Sequence, residues 1–169
     1  YTAAENILYR KIAEKTADYI LREMVSPEGG FYSAQDADSE GEEGKYYLFT
    51  PDEMIRVLGQ KDGEAFNRHY GITKRGNFEG KNIPNLLGRD FDEEAFEAML
   101  RRERYDLHLD DKVLTFWNGL MIGAMCELYL VSKEERYLYA AEQADAFIRK
   151  YLREKNGLYV SYCKGKHGA

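Results

Sequence analysis

Several residue types that usually announce a function are scarce in this chain. There are two cysteines, Cys126 and Cys163, and they lack CxxC spacing. That excludes a disulfide framework or a thiolate zinc site, and reads as two reduced thiols of an intracellular, cytoplasmic protein. The three histidines, His69, His108 and His167, lie far apart, with no HExxH helix to hold a metal. No GxSxG elbow, P-loop or dinucleotide fingerprint occurs, so no cofactor is implied. Cationic stripes are missing too. The net charge is −6 with acids and bases interleaved, which excludes a nucleic-acid partner, because such a partner needs its phosphates neutralised.

One long apolar run exists, VLTFWNGLMIGAMCELYLV over residues 113–131. It approaches the length of a bilayer span. Asn118 and Glu127 lie inside it, Gly119 and Gly123 interrupt it, and both flanks are charged. An intramembrane carboxylate is costly, whereas a helix apolar on all faces suits the inner layer of a helical barrel, so no membrane partner is expected.

Aromatic side chains, by contrast, are plentiful, with 14 tyrosines, and 44% of residues are hydrophobic. A single globular unit over residues 1–169 with a substantial core is expected. The chain opens at Tyr1 without a methionine or signal peptide, which points to an internal piece of a longer protein.

Helix starts are marked by three capping boxes: TAAE (Thr2, Glu5), TPDE (Thr50, Glu53) with Pro51 at the first helical position, and SKEE (Ser132, Glu135). The spacing of apolar residues predicts helices over residues 3–25, 51–58, 63–70, 92–104, 116–130 and 133–153. Leu8, Ile12, Tyr19, Ile20 and Met24 should face the core from the first helix. Tyr137, Ala141, Ala144, Ile148 and Tyr151 should do so from the last. Short strands are expected at 31–34, 46–49 and 158–162, the first two pairing as a hairpin around an acidic tip.

A weak repeat links the two long helices. At a constant offset of 127 residues, the separation of Gly30 from Gly157, Ala13 falls on Ala140 and Ala17-Asp18 on Ala144-Asp145. Arg22 then falls on Arg149, and Tyr32 on Tyr159. A recurring helix, glycine stop and aromatic turn is how α/α toroids are assembled. The expected class is therefore mainly α, part of an (α/α)6 toroid of six-hairpin glycosidase type, with short β-hairpins.

Three stretches carry candidate chemistry. In DADSEG, the residues Asp36, Asp38 and Glu40 match the start of a calcium loop, but Tyr47 stands where a bidentate glutamate belongs. The tip is thus a metal loop, a solvated turn, or the rim of a site. In RYDLHLDDKVLTFWNG, Asp110 and Asp111 precede the apolar helix and can serve as an acid and a base with separated pKa values. Lys112 adjoins them, and Trp117 with Asn118 offers a sugar one stacking face and hydrogen bonds. A charge cluster favouring the helix dipole, beside a buried Trp, explains the same residues without a ligand. The long loop 73–90 offers Asn77, Glu79, Lys81 and Asn82, and Phe78, Ile83 and Leu86-Leu87 suggest that it is anchored.

Together GGFYSAQDADSEGEEGKYY, GNFEGKNI and DDKVLTFWNGLM resemble, in order and spacing, the thioredoxin-domain-containing family of spermatogenesis-associated protein 20. That resemblance implies a thioredoxin-like domain, absent from this chain, followed by an (α/α)6 barrel similar to N-acylglucosamine 2-epimerases. Gln35 and Phe116 depart from the family pattern, where Glu and Ser are expected. The epimerases' paired histidines have no counterpart here. Two functions follow as expectations. One is a barrel that binds or transforms a small-molecule sugar, with Asp110 and Asp111 catalytic and Tyr32, Asp36, Asp38, Asn82, Lys112, Trp117 and Asn118 binding. The other is a non-catalytic interaction module attached to a redox domain. The isolated piece should be inactive and self-associate through uncovered helix faces.

Overall fold

The computed structural model describes residues 5–99 and 107–168. In chain order the elements are α1 (Ile7–Glu23), β1 (Ala34–Gln35), β2 (Asp38–Ser39), β3 (Glu42–Glu43), α2 (Pro51–Leu58), α3 (Gln60–His69) and α4 (Glu93–Met99). There follow β4 (Leu109–Asp110), β5 (Val113–Leu114), α5 (Thr115–Ser132), α6 (Glu135–Phe147), β6 (Arg153–Glu154), β7 (Gly157–Leu158), β8 (Ser161–Cys163) and β9 (Lys166–Gly168). A 3-10 turn covers Lys45–Tyr47, and a π-helical turn, Ile148–Leu152, continues α6. The chain is mainly helical, as expected. Among the described residues no helix is long and apolar enough to cross a membrane. Contacts divide the chain into two compact units, residues 1–35 with 109–169, and residues 36–108.

In the first unit α1 starts later than the sequence suggests. Thr2 lies outside the described residues, but Glu5 has a φ of 49°, so the helix cannot run through it. Asn6 caps instead, its side chain accepting from Leu8 N at 2.9 Å. The second misread cap is Ser132. It ends α5, Lys133 follows at φ 63°, and Glu134 precedes α6 without capping it by its own side chain, while Ser132 Oγ accepts from Glu134 N at 3.2 Å. The α5–α6 hairpin packs on α1 around Ala17, Phe31, Met125, Tyr137, Ala141 and Ala144. Alanines at 17, 141 and 144 let the helices approach closely, and Tyr137, fully buried, fills the gap. Its hydroxyl donates to Asp18 and accepts from Arg136, tying α6 to α1. Ile12, expected inside, is 47% exposed beside exposed Tyr9 and Ile7.

The second cluster of this unit, Val113, Phe147 and Leu152 with Tyr32, Tyr151, Tyr159 and Tyr162, sits under the sheet β5-β8-β9. The strand expected over 158–162 is broken in two. Leu158 pairs back to Arg153, whereas Ser161 and Tyr162 pair with Leu114 and Val113. The repeat is visible in hydrogen bonds. Tyr32 N donates to Met24 O and Tyr159 N to Leu152 O, both at 2.9 Å. The second acceptor lies one place further along its helix, and that copy holds the π turn, which takes up one extra residue.

In the second unit α2 forms as its cap prescribes, whereas α3, expected over 63–70, begins at Gln60. Thr50 Oγ1 accepts from Glu53 N, Pro51 opens α2, and Gly59 both ends α2 and begins α3. The two helices touch at Gly63, where an added Cβ would lie 2.5 Å from Ile55 Cα. Phe49, Met54, Phe66, Tyr70 and Ile72 make the core. Helix α4 is seen to Met99, and the rest of the helix expected over 92–104 lies outside the described residues.

The hairpin expected between 31–34 and 46–49 does not form. Ala34–Gln35 pairs with Leu109–Asp110, Lys45–Tyr47 is a 3-10 turn, and Phe49 bridges to Asn82. The acidic tip is its own hairpin, with Ser39 opposite Glu42 across Glu40-Gly41. Both turn residues have positive φ, 52° and 76°, the two-residue geometry that matches strand twist.

Candidate functional site

In the first unit, strand pairing assembles the carboxylates that precede α5. β4 pairs with β1, placing Asp110 opposite Ala34, and Ser33 Oγ donates to Asp110 O at 3.2 Å. Lys112 Nζ lies 3.0 Å from the Asp110 carboxylate. β5 pairs with β8, whose turn brings Cys163 and Lys164 to Asp111. There Lys164 Nζ stands 2.7 Å away and the Cys163 thiol donates at 3.3 Å. Lys112 holds the Asp110 carboxyl below its usual range, and Lys164, then Cys163, do the same for Asp111. Both shifts run downward. The pair is thus kept ionised by two separate lysines, rather than split into a protonated acid and a free base. Asp111 in return raises the Cys163 thiol, while burial, then Glu28 and Asp111, raise the Tyr32 phenol. Lys164 and Cys163 were missed in the sequence, because nothing in their spacing points to residues more than fifty positions earlier.

Trp117 is 51% exposed and its neighbour Phe116 is 73% exposed, so the ring expected as a platform is accessible. Asn118 is different. It is 1% exposed, and its amide is fully engaged with backbone. Oδ1 accepts from Phe31 N at 2.8 Å, while Nδ2 donates to Phe31 O at 2.9 Å and Leu114 O at 3.0 Å. The reason lies in the turn after α1. The Val25–Phe31 rung is flanked by bonds that use Gly30 O and Tyr32 N, so the polar groups of Phe31 point away from Val25. Asn118 receives them as a neighbouring strand would. A side chain so occupied has no donor to turn toward a sugar hydroxyl.

In the second unit, the acidic tip is internally paired. Asp36 Oδ1 accepts from Asp38 N, Glu40 pairs with Lys45, and Glu42 pairs with Lys81, which lowers its carboxyl. Among the described residues no group of three His, Cys, Asp or Glu side chains is gathered to hold a metal ion. Asn82, 1% exposed, repeats the device of Asn118. Its side chain accepts from Thr73 N and donates to Thr73 O and Phe49 O. Asn77 clips Ile83 in both directions. These asparagines anchor the long loop, while Phe78, Ile83 and Leu87 remain exposed. Asp36, Asp38 and Asn82 thus belong to one compact unit, and Tyr32, Asp110, Asp111, Lys112, Trp117 and Asn118 to the other.

No family model matches the chain. It is 28% identical to Spermatogenesis-associated protein 20 of Homo sapiens over 85% of its length, and 28% identical to that of Mus musculus over 90%. An uncharacterized protein of Caenorhabditis elegans is 26% identical over 88% of the chain. The chain spans about a quarter of each of these relatives, 24%, 25% and 26%. The three motifs and the similarity along most of the chain agree: this chain is a homologue of the proteins named Spermatogenesis-associated protein 20.

Proposed function

We propose that this chain is part of an α/α-toroid protein and contributes a carbohydrate-binding surface centred on Asp110, Asp111 and Trp117. One observation carries the reading. Two exposed rings, Phe116 and Trp117, stand in the first turn of α5, after the short strand β5 that follows two partly exposed carboxylates held below their usual range. An indole face accepts the apolar face of a sugar ring, and carboxylates accept strongly from its hydroxyls. Lys112 and Lys164 supply donors on the same unit. The toroid is supported by α5, apolar all round, packed against the more amphipathic α1 and α6. With neither carboxylate raised, binding or proton abstraction suits the site better than hydrolysis, which needs a protonated acid. No residue of the other unit is required.

Trp117 is the single tryptophan, so its emission reports the surface directly. Titration with a panel of mono- and disaccharides should give a saturable change with at least one sugar. Asp111→Asn should weaken that binding about fivefold or more. A folded protein whose emission ignores every sugar would sink the proposal.

A second reading, a non-catalytic interaction module, is favoured by the exposed stripe of α5. Phe116, Leu120 and Leu130 are 73%, 61% and 57% exposed along one helix face. Exposed Gly123 and Glu127 separate Leu120 from Leu130 on that face, and exposed apolar residues of this kind usually mark a surface that meets a partner. Light scattering on the isolated chain should then show mass rising with concentration, and a return to monomer in Leu120→Glu.

A further inference from the structure

The turn that follows α1 recurs after α6, and only the first of the two is covered. Around Phe31 the cover comes from the α5–α6 hairpin. Asn118 takes both the N–H and the C=O of Phe31. Gly30 lies so close to α6 that an added Cβ would stand 3.0 Å from the Phe147 ring. Phe31 is 3% exposed as a result.

At the offset of 127 residues, Phe31 falls on Leu158 and Gly30 on Gly157. The backbone there takes the same form. Leu158 stands opposite Arg153, and the adjacent bond from Tyr159 N to Leu152 O makes this a rung whose own N–H and C=O groups point outward, as those of Phe31 do. Among the described residues no other backbone or side-chain group takes those of Leu158. Leu158 is 54% exposed, beside Val160 at 59%, and a Cβ added at Gly157 would meet nothing within 4 Å. The second turn therefore repeats the surface that α5 and α6 cover in the first, without its cover.

We propose that the Gly157–Leu158 turn is the docking surface for another helical hairpin of the α5–α6 kind, supplied by a longer protein of which this chain is part. Its leading helix carries an asparagine in the first turn, which takes the Leu158 N–H and C=O as Asn118 takes those of Phe31. A second copy of this chain is a poorer occupant, because its Asn118 is already bound to its own Phe31. The relatives leave room for further hairpins, since the chain spans about a quarter of their length. Asn156 stands where the first turn has Gly29, so the incoming hairpin leaves space there for one side chain. The inference rests on the toroid part of the reading above and is independent of the sugar surface.

A synthetic peptide of residues 113–152 carries such a hairpin with its Asn118 free. It is titrated into the isotope-labelled full chain, whose backbone amides are followed by NMR. The Leu158 amide should shift saturably, and its hydrogen exchange should slow about tenfold or more at saturation. The Asn118→Ala peptide should bind about tenfold more weakly, because its contacts to the Leu158 backbone are lost. Gly157→Leu in the chain enters open space, so it should keep the melting temperature and abolish the shift. No saturable shift at Leu158, equal binding of the Asn118→Ala peptide, or undiminished binding to a folded Gly157→Leu chain would each overturn the proposal. So would protection of Leu158 in the chain alone as its concentration rises, which would make a second copy the occupant. Shifts confined to the exposed face of α5 would overturn it too, while leaving the toroid reading in place.

Discussion

Replacing Asn118 by alanine tests whether this side chain is a structural clamp or a ligand-binding group. Three hydrogen bonds disappear, two to Phe31 and one to Leu114. At about 1 kcal/mol net for each, their loss amounts to about 3 kcal/mol. Phe31 is 3% exposed, so its N–H and C=O stay buried without partners, which adds about 1 to 2 kcal/mol more. Asn118→Ala should therefore cost about 4 to 5 kcal/mol, a large share of the roughly 5 to 15 kcal/mol by which a domain is stable. Asn118→Leu should cost a similar amount, since the stranded partners are backbone groups that no apolar side chain can satisfy. Urea unfolding at 25 °C, followed by far-UV circular dichroism, measures both. Trp117→Ala is the internal control. Its ring is half exposed, and its loss should cost less than about 1 kcal/mol. If Asn118→Ala also costs under about 1 kcal/mol, the clamp argument is refuted, and the amide is again available to a ligand.

Three further outcomes are expected. Asn82→Ala should destabilise the second unit by about 2 to 4 kcal/mol and open the 73–90 loop to proteolysis, because it removes the bonds to Thr73 and Phe49; an unchanged cleavage rate there would contradict it. Gly63→Ala should destabilise by about 1 to 3 kcal/mol in denaturant unfolding, although alanine is the better helix former. The new Cβ meets the backbone of Ile55 at 2.5 Å, and any gain in stability would show that α2 and α3 do not pack there. Asp111→Asn should speed alkylation of Cys163 several-fold at pH 8, followed by mass spectrometry of its peptide. The Asp111 carboxylate raises the thiol pKa, and removing it leaves Lys164 to favour the thiolate, so a slower reaction would reverse the assigned sign.

Much of the helical frame was legible in the residues. Thr50, Pro51 and Gly59 bound α2 where the structure has it, and the spacing of Tyr137, Ala141 and Ala144 marks the buried face of α6. The failures are informative. A capping box at Ser132 has the right letters, yet Ser132 is the last residue of α5, and its hydroxyl accepts from Glu134 N rather than from the first turn of α6. Ile12 fits the apolar stripe of α1, but the helices packed against α1 bury Ala17 and leave Ile12 in water. Strand pairing was misjudged because the aromatic pieces around the acidic tip look complementary, while the hairpin closed by the Glu40-Gly41 turn is only two residue pairs deep and its flanks go to other partners.

The candidate site divides along the same line. Sequence alone determined which residue types cluster before α5, that their charge is negative, and that an indole follows them, since all of this lies within a few positions. It also determined the helical class, because caps and periodicity act over one or two turns. Tertiary structure decided what each side chain is for. Asn118 clamps a backbone 87 positions away, and Asp111 is held ionised by a lysine and a thiol from a hairpin more than fifty positions later. An amide or a carboxylate offers the same atoms to a sugar, a strand or a lysine. Only the folded chain fixes which partner comes within three ångströms.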